Sequence, residues 1–195
     1  MIDLIHEAFD VQSFFRSQNW RFCFIGGLAV QVWAEARVTR YIDVTLFTGF
    51  GGEEKFVETL LERFPSRRPD AAAFALRNRV LLLQKSRGTG IEIALAAMPF
   101  EESVVGRAMD VEVLPGYILR LCTPEDLIVL KAFASRSQDW HDVKMTIVRQ
   151  GDDRLDWNHI LGHLKPLAEL KEEPEIVPQL ERLRGDIQKQ LDQRE

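Results

Sequence analysis

Residues 22–47 read FCFIGGLAVQVWAEARVTRYIDVTLF, and this stretch decides the fold. An apolar β-prone run ends at Gly26 and Gly27, a helical stretch follows, and a second β-prone run over residues 42–47 carries one carboxylate, Asp43. Glycine lets backbone N–H groups approach a phosphate closely, and a carboxylate on the next strand can meet the cation that accompanies the phosphate. This order of elements is therefore a layout for holding phosphate and metal together.

The same run resembles the signature of the DNA polymerase β-type nucleotidyltransferase superfamily. In that signature a hydrophobic strand, a Gly-Gly or Gly-Ser pair and a helix precede Asp-x-Asp on the next strand. The run is most similar to the AbiEii-type, toxin-like branch of bacterial abortive-infection systems, whose pattern is Gly-Gly, a small residue and then Arg-x-Thr-x-Asp-hydrophobic-Asp. Five residues of this chain fall on that pattern: Gly26, Gly27, Arg37, Thr39 and Asp43. The resemblance covers most of the chain and weakens beyond residue 150.

The resemblance implies a fold, a reaction and a set of partners. The fold is α+β, a small mixed β-sheet with flanking helices followed by a C-terminal helical part. The reaction is the Mg²⁺- or Mn²⁺-dependent transfer of a nucleoside monophosphate from an NTP to an RNA or protein acceptor. Active relatives in this branch act as toxins that an antitoxin protein restrains, so an antitoxin is a further expected partner.

The resemblance also implies roles for individual residues. Asp43 corresponds to the second motif carboxylate, which is catalytic and holds metal in active relatives. A third carboxylate comes from a later strand beside the Asp-x-Asp strand, and Glu92, between two isoleucines, is the acid that fits this metal-binding and catalytic position. The remaining predicted roles are in nucleotide binding: Gly26, Gly27, Arg40 and Lys131.

Tyr41 departs from the pattern because it holds the position of the first motif Asp. Two-metal phosphoryl transfer usually needs three carboxylates to hold two Mg²⁺ ions about 3.5–4 Å apart, and a neutral phenol is a poor Mg²⁺ ligand. Two hypotheses follow. The chain is either an enzyme with an incomplete metal motif or a catalytically reduced nucleotidyltransferase-like protein that binds nucleotide or a protein partner. A third hypothesis is a plain interaction domain with a purely structural glycine turn.

Each candidate residue also has a structural interpretation. Asp43 could cap a turn or pair with Arg40, and Glu92 could be a solvated residue on a half-exposed strand. The pair Gly26 and Gly27 could form a tight strand-to-helix turn without any phosphate. These alternatives remain open on the sequence alone.

The stretch from residue 131 to residue 142 is the second group of candidate residues. On an unbroken helix Lys131 and Asp142 share a face, since residues 11 apart differ by about 20° in direction. The structural alternative is an amphipathic helix with a solvated polar face. We expect Asp139 and Asp142 to orient Lys131 and Arg136 or to tie helices together.

Composition places the chain among ordinary globular proteins. It has 195 residues, of which 46% are hydrophobic and 28% charged, and its net charge of −5 argues against wrapping nucleic acid by bulk charge. Cys23 and Cys122 lie in apolar runs and indicate buried thiols in a reducing compartment. With no apolar run of transmembrane length and no signal-peptide pattern, we expect a cytoplasmic protein without a membrane partner. Four histidines lack metal-ligand spacing and are treated as surface residues: His6, His141, His159 and His163.

Hydrophobic periodicity organises the rest of the chain. It predicts alternating helices and strands over residues 1–122, the part that the resemblance implies is a nucleotidyltransferase-like α/β core, and a helical region over residues 123–195. Within the core, a strand over residues 77–85, a tight turn over 86–90 and a strand over 91–96 predict an antiparallel hairpin.

Overall fold

The computed structural model describes residues 2–85 and 88–193. The tight turn predicted over residues 86–90 therefore falls in part outside the described residues. Within that range the α-helices are α1 (Ile2–Ser17), α2 (Gly26–Trp33), α3 (Glu53–Arg63), α4 (Ala71–Asn78), α5 (Pro99–Arg107), α6 (Pro124–Ala134), α7 (Ser137–Gln150), α8 (Trp157–Leu170) and α9 (Ile176–Asp192). The strands are β1 (Phe22–Phe24), β2 (Tyr41–Phe47), β3 (Val80–Gln84), β4 (Gly90–Ala96), β5 (Met109–Leu114) and β6 (Tyr117–Leu121).

The six strands form a mixed sheet in the order β3-β4-β2-β1-β6-β5. Strand β2 pairs in parallel with β4 and antiparallel with β1, while β1 also pairs in parallel with β6. The antiparallel hairpins β3–β4 and β5–β6 form the outer parts of the sheet, and β3–β4 is the hairpin that the sequence predicts. The α+β class and the mixed sheet are therefore confirmed.

The chain divides into two compact units. The first contains the residues up to Leu28 together with Val38–Cys122, and the second contains Ala29–Arg37 together with the residues from Thr123 onward. The whole sheet belongs to the first unit, and helices α6 to α9 belong to the second. The division into domains of residues 1–122 and 123–195 stays a prediction.

The core of the first unit lies on one face of strands β2 and β4. Alternate residues of these strands are buried there: Ile42, Val44, Leu46, Ile91, Ile93 and Leu95. Because side chains alternate along a strand, the residues between them, including Asp43 and Glu92, point to the opposite face. Burying each aliphatic side chain contributes about 1.5–3 kcal/mol, so a one-residue slip of register is strongly disfavoured. The apolar core thereby fixes which face carries the acids.

The strand predicted over residues 77–85 is wrong at its start. Helix α4 continues to Asn78, and β3 begins at Val80. Arg79 ends the helix with a left-handed backbone, φ 54°, an uncommon conformation for a residue other than glycine. Its guanidinium donates a hydrogen bond to the carbonyl of Gly49 at 3.1 Å, which helps to hold this conformation in place.

Two expectations from composition can be compared with the structure. Cys23 and Cys122 are both buried thiols outside any disulfide, as the sequence predicts. None of the helices in the described part of the chain is both long enough and apolar enough to cross a lipid bilayer. The cytoplasmic location stays a prediction.

Candidate functional site

Asp43 and Glu92 lie side by side on one face of the sheet. They are register partners on the parallel strands β2 and β4. Neighbouring strands lie about 4.7–4.9 Å apart, and paired residues point to the same side. The fold therefore brings together the two carboxylates that the sequence identifies.

Gly26 provides the space that the Asp43 carboxylate occupies. A Cβ at Gly26, whose φ is +56°, would lie 2.1 Å from Asp43 Oδ2. Gly27 donates its backbone N–H to the same Oδ2 at 3.2 Å, and a Cβ at Gly27 would meet Thr39 Oγ1 at 2.6 Å. The glycine pair thus positions a carboxylate at the N-terminus of α2, where the helix dipole favours negative charge. Its role as a phosphate cradle stays a prediction.

Replacing Gly26 by Ala is expected to lower the free energy of unfolding by about 2–5 kcal/mol. The left-handed backbone costs an L-residue about 1–2 kcal/mol, and the overlap with Asp43 costs about 1–3 kcal/mol more. Urea denaturation of both proteins measures the difference. Gly162→Ala is the matched control, because a Cβ at Gly162 in α8 meets nothing within 4 Å. We expect that change to be neutral or to stabilise the protein by up to about 1 kcal/mol; equal effects of the two substitutions would contradict the packing described.

Tyr41 lies two residues before Asp43 on the same face of β2. The guanidinium carbon of Arg67 lies 5.4 Å from the centroid of its ring. Arg67 Nη2 also donates a hydrogen bond to Glu92 Oε1 at 2.7 Å. A phenol therefore stands where the motif has a carboxylate, and an arginine already pairs with Glu92. Sequence reasoning missed Arg67, because nothing in the spacing of residues 67 and 92 connects them.

The residues present do not fit a two-metal centre. Such a centre usually needs three carboxylates, and among residues 2–85 and 88–193 no three His, Cys, Asp or Glu side chains form a group that could hold a metal ion. They do fit a single Mg²⁺ or Mn²⁺, since Mg²⁺ is usually bound through one or two carboxylates with waters and substrate phosphates as the other ligands. Asp43 and Glu92 are the residues that would hold this ion.

Arg40, a predicted nucleotide-binding residue, is exposed and directly precedes β2. Its carbonyl accepts the backbone N–H of Gly90 at 3.2 Å, which extends the pairing of β2 and β4 by one hydrogen bond. An exposed guanidinium can bind phosphate through its paired N–H donors. The contact of Arg40 with nucleotide stays a prediction.

Lys131 belongs to the second unit, where two carboxylates bind its ammonium group. Its Nζ lies 2.9 Å from Asp139 Oδ1 and 2.8 Å from Asp142 Oδ2. The Lys131 side chain is 10% exposed, and the two aspartates are almost fully buried. The expectation that both aspartates orient Lys131 is confirmed, whereas its contact with nucleotide phosphates stays a prediction.

Two arginines complete this ion-pair network. Arg37 binds Asp142 through Nε at 3.1 Å and Nη2 at 3.0 Å, and Arg136 donates to Asp139. Burial raises the pKa of Asp139, but hydrogen bonds from Arg136 and Lys131 outweigh burial and hold that pKa below its ordinary value. At Asp142 burial likewise raises the pKa, and hydrogen bonds from Arg37 and Lys131 lower it overall. Both carboxylates are therefore ionised at neutral pH.

The helix is interrupted between Lys131 and Asp142, so the shared face that an unbroken helix would give does not apply. Helix α6 ends at Ala134, Ser135 has a left-handed backbone with φ 59°, and α7 begins at Ser137. On a continuous helix residues 131 and 139 would lie about 12 Å apart along the axis. The break is therefore what lets Asp139 reach the ammonium group of Lys131.

The expectation that the histidines are surface residues is wrong for His159. Its side chain is 10% exposed, and its Nε2 lies 2.6 Å from Oδ1 of the fully buried Asp126. A buried carboxylate requires such a partner, because leaving it unpaired would cost several kcal/mol. His159 therefore has a structural role in the second unit.

No protein-family model matches the chain, and no curated protein matches it in sequence. The solution structure of the antibiotic-resistance factor ANT(2'')-Ia, a nucleotidyltransferase, is 13% identical with a TM-score of 0.58 and aligns over 87% of this chain and 94% of its own. The crystal structure of ANT(2'')-Ia with adenylyl-2''-tobramycin is 14% identical with a TM-score of 0.52 over 97% and 98% of the two chains. An antigenic nucleotidyltransferase-like protein from Paracoccidioides brasiliensis is 15% identical with a TM-score of 0.52 over 91% and 92%. At these identities the similarity is one of fold, and the chain has the α+β fold of the nucleotidyltransferases.

Proposed function

We propose that the chain is a nucleotidyltransferase that binds an NTP together with one divalent cation, Mg²⁺ or Mn²⁺. Asp43 and Glu92 would hold the cation, which when bound neutralises phosphate charge and aligns the transferred group. Gly27 fixes the Asp43 carboxylate through its backbone N–H. Gly26 and Arg40 would contact the phosphates. The phosphate contact predicted for Lys131 is not part of this proposal, because Asp139 and Asp142 bind its ammonium group.

The observation that carries this proposal is the register of the two acids. Asp43 and Glu92 are paired on adjacent parallel strands, on the face opposite the apolar core. Glu92 already pairs with Arg67, and Asp43 accepts a hydrogen bond from the Gly27 N–H. Two carboxylates held next to each other still repel, and a divalent cation bound between them would offset that repulsion.

The proposed acceptor is a hydroxyl group on RNA or protein. The resemblance of residues 22–47 to the AbiEii-type branch supports this choice, and with it a toxin restrained by an antitoxin protein. The complex of ANT(2'')-Ia with adenylyl-2''-tobramycin adds the hydroxyl of a small molecule as a further acceptor class to test.

A second candidate function is nucleotide binding without transfer. It is favoured by Tyr41, which replaces a carboxylate, and by Arg67, whose guanidinium binds Glu92 at 2.7 Å. Both features reduce the negative charge available to metal at the site. A protein of this kind would use bound nucleotide to regulate a partner.

The test of the proposed function is the transfer of label from α-labelled NTPs, with Mg²⁺ or Mn²⁺, to total RNA, total protein and hydroxylated small molecules. We expect the natural protein to label an acceptor. Asp43→Ala should lower the rate by about 10²–10³-fold, because a metal contributes several kcal/mol to the stabilisation of the transition state. Asp10→Ala is the control, since Asp10 is an exposed acid of the same unit that pairs with Lys85.

The outcomes separate the candidate functions. If Tyr41→Asp transfers label and the natural protein does not, the second candidate function is favoured. The natural protein would then lack only the carboxylate that Tyr41 replaces. Equal labelling by the natural protein and by Asp43→Ala would exclude Asp43 from the active site.

A further inference from the structure

The side chain of Arg67 is held at the carboxylate pair by contacts on several sides. Its backbone N–H donates to the carbonyl of Leu82 on β3 at 3.0 Å, which ties the segment between α3 and α4 to the sheet. Its Nη2 then reaches Glu92 Oε1 on the adjacent strand β4. The backbone hydrogen bond places residue 67 next to the sheet, and the bond to Glu92 places its guanidinium on the face that carries the two acids.

The ring of Tyr41 also packs against the side chain of Arg67. The guanidinium lies within cation–π range of the ring. Gly90 leaves the space for both groups, since a Cβ there would lie 2.5 Å from Tyr41 Cδ1 and 3.3 Å from Arg67 Nη1. Tyr41, Arg67, Gly90 and Glu92 therefore form one packed cluster, which we call the Arg67 cluster.

One donor of Arg67 is not satisfied. Its Nε is buried and has no hydrogen-bond partner among the described residues. An unsatisfied buried donor costs about 1–3 kcal/mol. Arg67 therefore keeps its place through Glu92 and Tyr41, although one of its own hydrogen-bonding groups is left unpaired.

We propose that Arg67 is a built-in cation that competes with divalent metal ions for Glu92 and so limits the carboxylate pair to weak binding of one metal ion. This inference deepens the proposed function and rests on it for the identity of the metal site. A unit charge beside Glu92 neutralises the carboxylate and repels an incoming divalent ion. Tyr41 contributes by supporting the guanidinium with its ring where a carboxylate would instead have attracted metal.

The test is a titration of the nucleotide-free protein with Mn²⁺, in which electron paramagnetic resonance measures the concentration of the unbound ion. We expect Arg67→Ala to raise Mn²⁺ affinity by about tenfold or more, since a unit and a divalent charge about 5 Å apart repel appreciably even in water. Arg67→Lys keeps the charge and should retain the weak affinity of the natural protein. Arg68→Ala is the matched control, because the neighbouring Arg68 pairs with the exposed Asp70.

Circular dichroism first establishes that each variant is folded. Unchanged Mn²⁺ affinity in folded Arg67→Ala, or a gain of the same size in Arg67→Lys, would overturn the inference. In the double variant Arg67→Ala, Asp43→Asn the gained affinity should be lost, since both carboxylates hold the ion.

The inference and the proposed function fail in different ways. If Arg67→Ala gains Mn²⁺ affinity but the natural protein binds no NTP, the role of Arg67 is supported and the proposed function is contradicted. If the natural protein binds NTP but Arg67→Ala gains no Mn²⁺ affinity, the proposed function is supported and the role of Arg67 is contradicted.

Discussion

Replacing Lys131 by Met is expected to lower the free energy of unfolding by about 3–5 kcal/mol. This is the usual cost of removing one partner from a buried ion pair, because an uncompensated charge stays behind. Here Lys131 Nζ pairs with both carboxylates, at 2.9 Å from Asp139 Oδ1 and 2.8 Å from Asp142 Oδ2. Methionine fills a similar volume, so lost packing contributes little to the expected effect.

Urea denaturation measures this effect, with Lys189→Met as the control. Lys189 Nζ lies 3.9 Å from Asp186 Oδ1 within α9, and both side chains are about two-thirds exposed or more. An exposed pair of this kind contributes about 0–1 kcal/mol. If Lys131→Met lowers the free energy of unfolding by less than about 1 kcal/mol, the structural role is contradicted. The phosphate-binding role that the sequence predicts for Lys131 would then be favoured.

Local sequence patterns predict the centre of the candidate site well. The glycine turn, helix α2 and strand β2 all lie within residues 22–47, where short-range signals decide the conformation. Alternation is also a local property, so the sequence predicts that Asp43 and Glu92 each point away from the apolar residues of their own strands. The pairing of β4 with β2, which brings the two acids together, is expected only from the resemblance. The contact of Gly26 with the Asp43 carboxylate, in contrast, is visible only in three dimensions.

Contacts distant in sequence account for what the sequence analysis missed. Arg67 reaches Glu92 because the segment after α3 bonds to β3, and neither residue type nor spacing indicates this. The break at Ser135 has no glycine or proline to mark it. Helix α4 is a different case, because the sequence analysis does not predict it although its alanine-rich sequence has high helix propensity.

Asp43→Asn is expected to weaken Mg²⁺-dependent NTP binding by about a hundredfold or more. Removing a residue that hydrogen-bonds to a metal ligand already costs about 10–100-fold in metal affinity. Asp43 is proposed to be a ligand itself. Asparagine preserves an oxygen that can accept the hydrogen bond from the Gly27 N–H. The substitution therefore removes the charge while keeping the packing against Gly26.

Calorimetric titration of an NTP into the natural protein and into Asp43→Asn, each with Mg²⁺ and with EDTA, tests the central claim most directly. Asp10→Asn is the control, since it removes a largely exposed acid of the same unit. We predict binding by the natural protein and by Asp10→Asn with Mg²⁺, and loss of binding with EDTA or in Asp43→Asn. Equal binding by Asp43→Asn, or no binding by the natural protein, would contradict a nucleotide site built on Asp43 and Glu92.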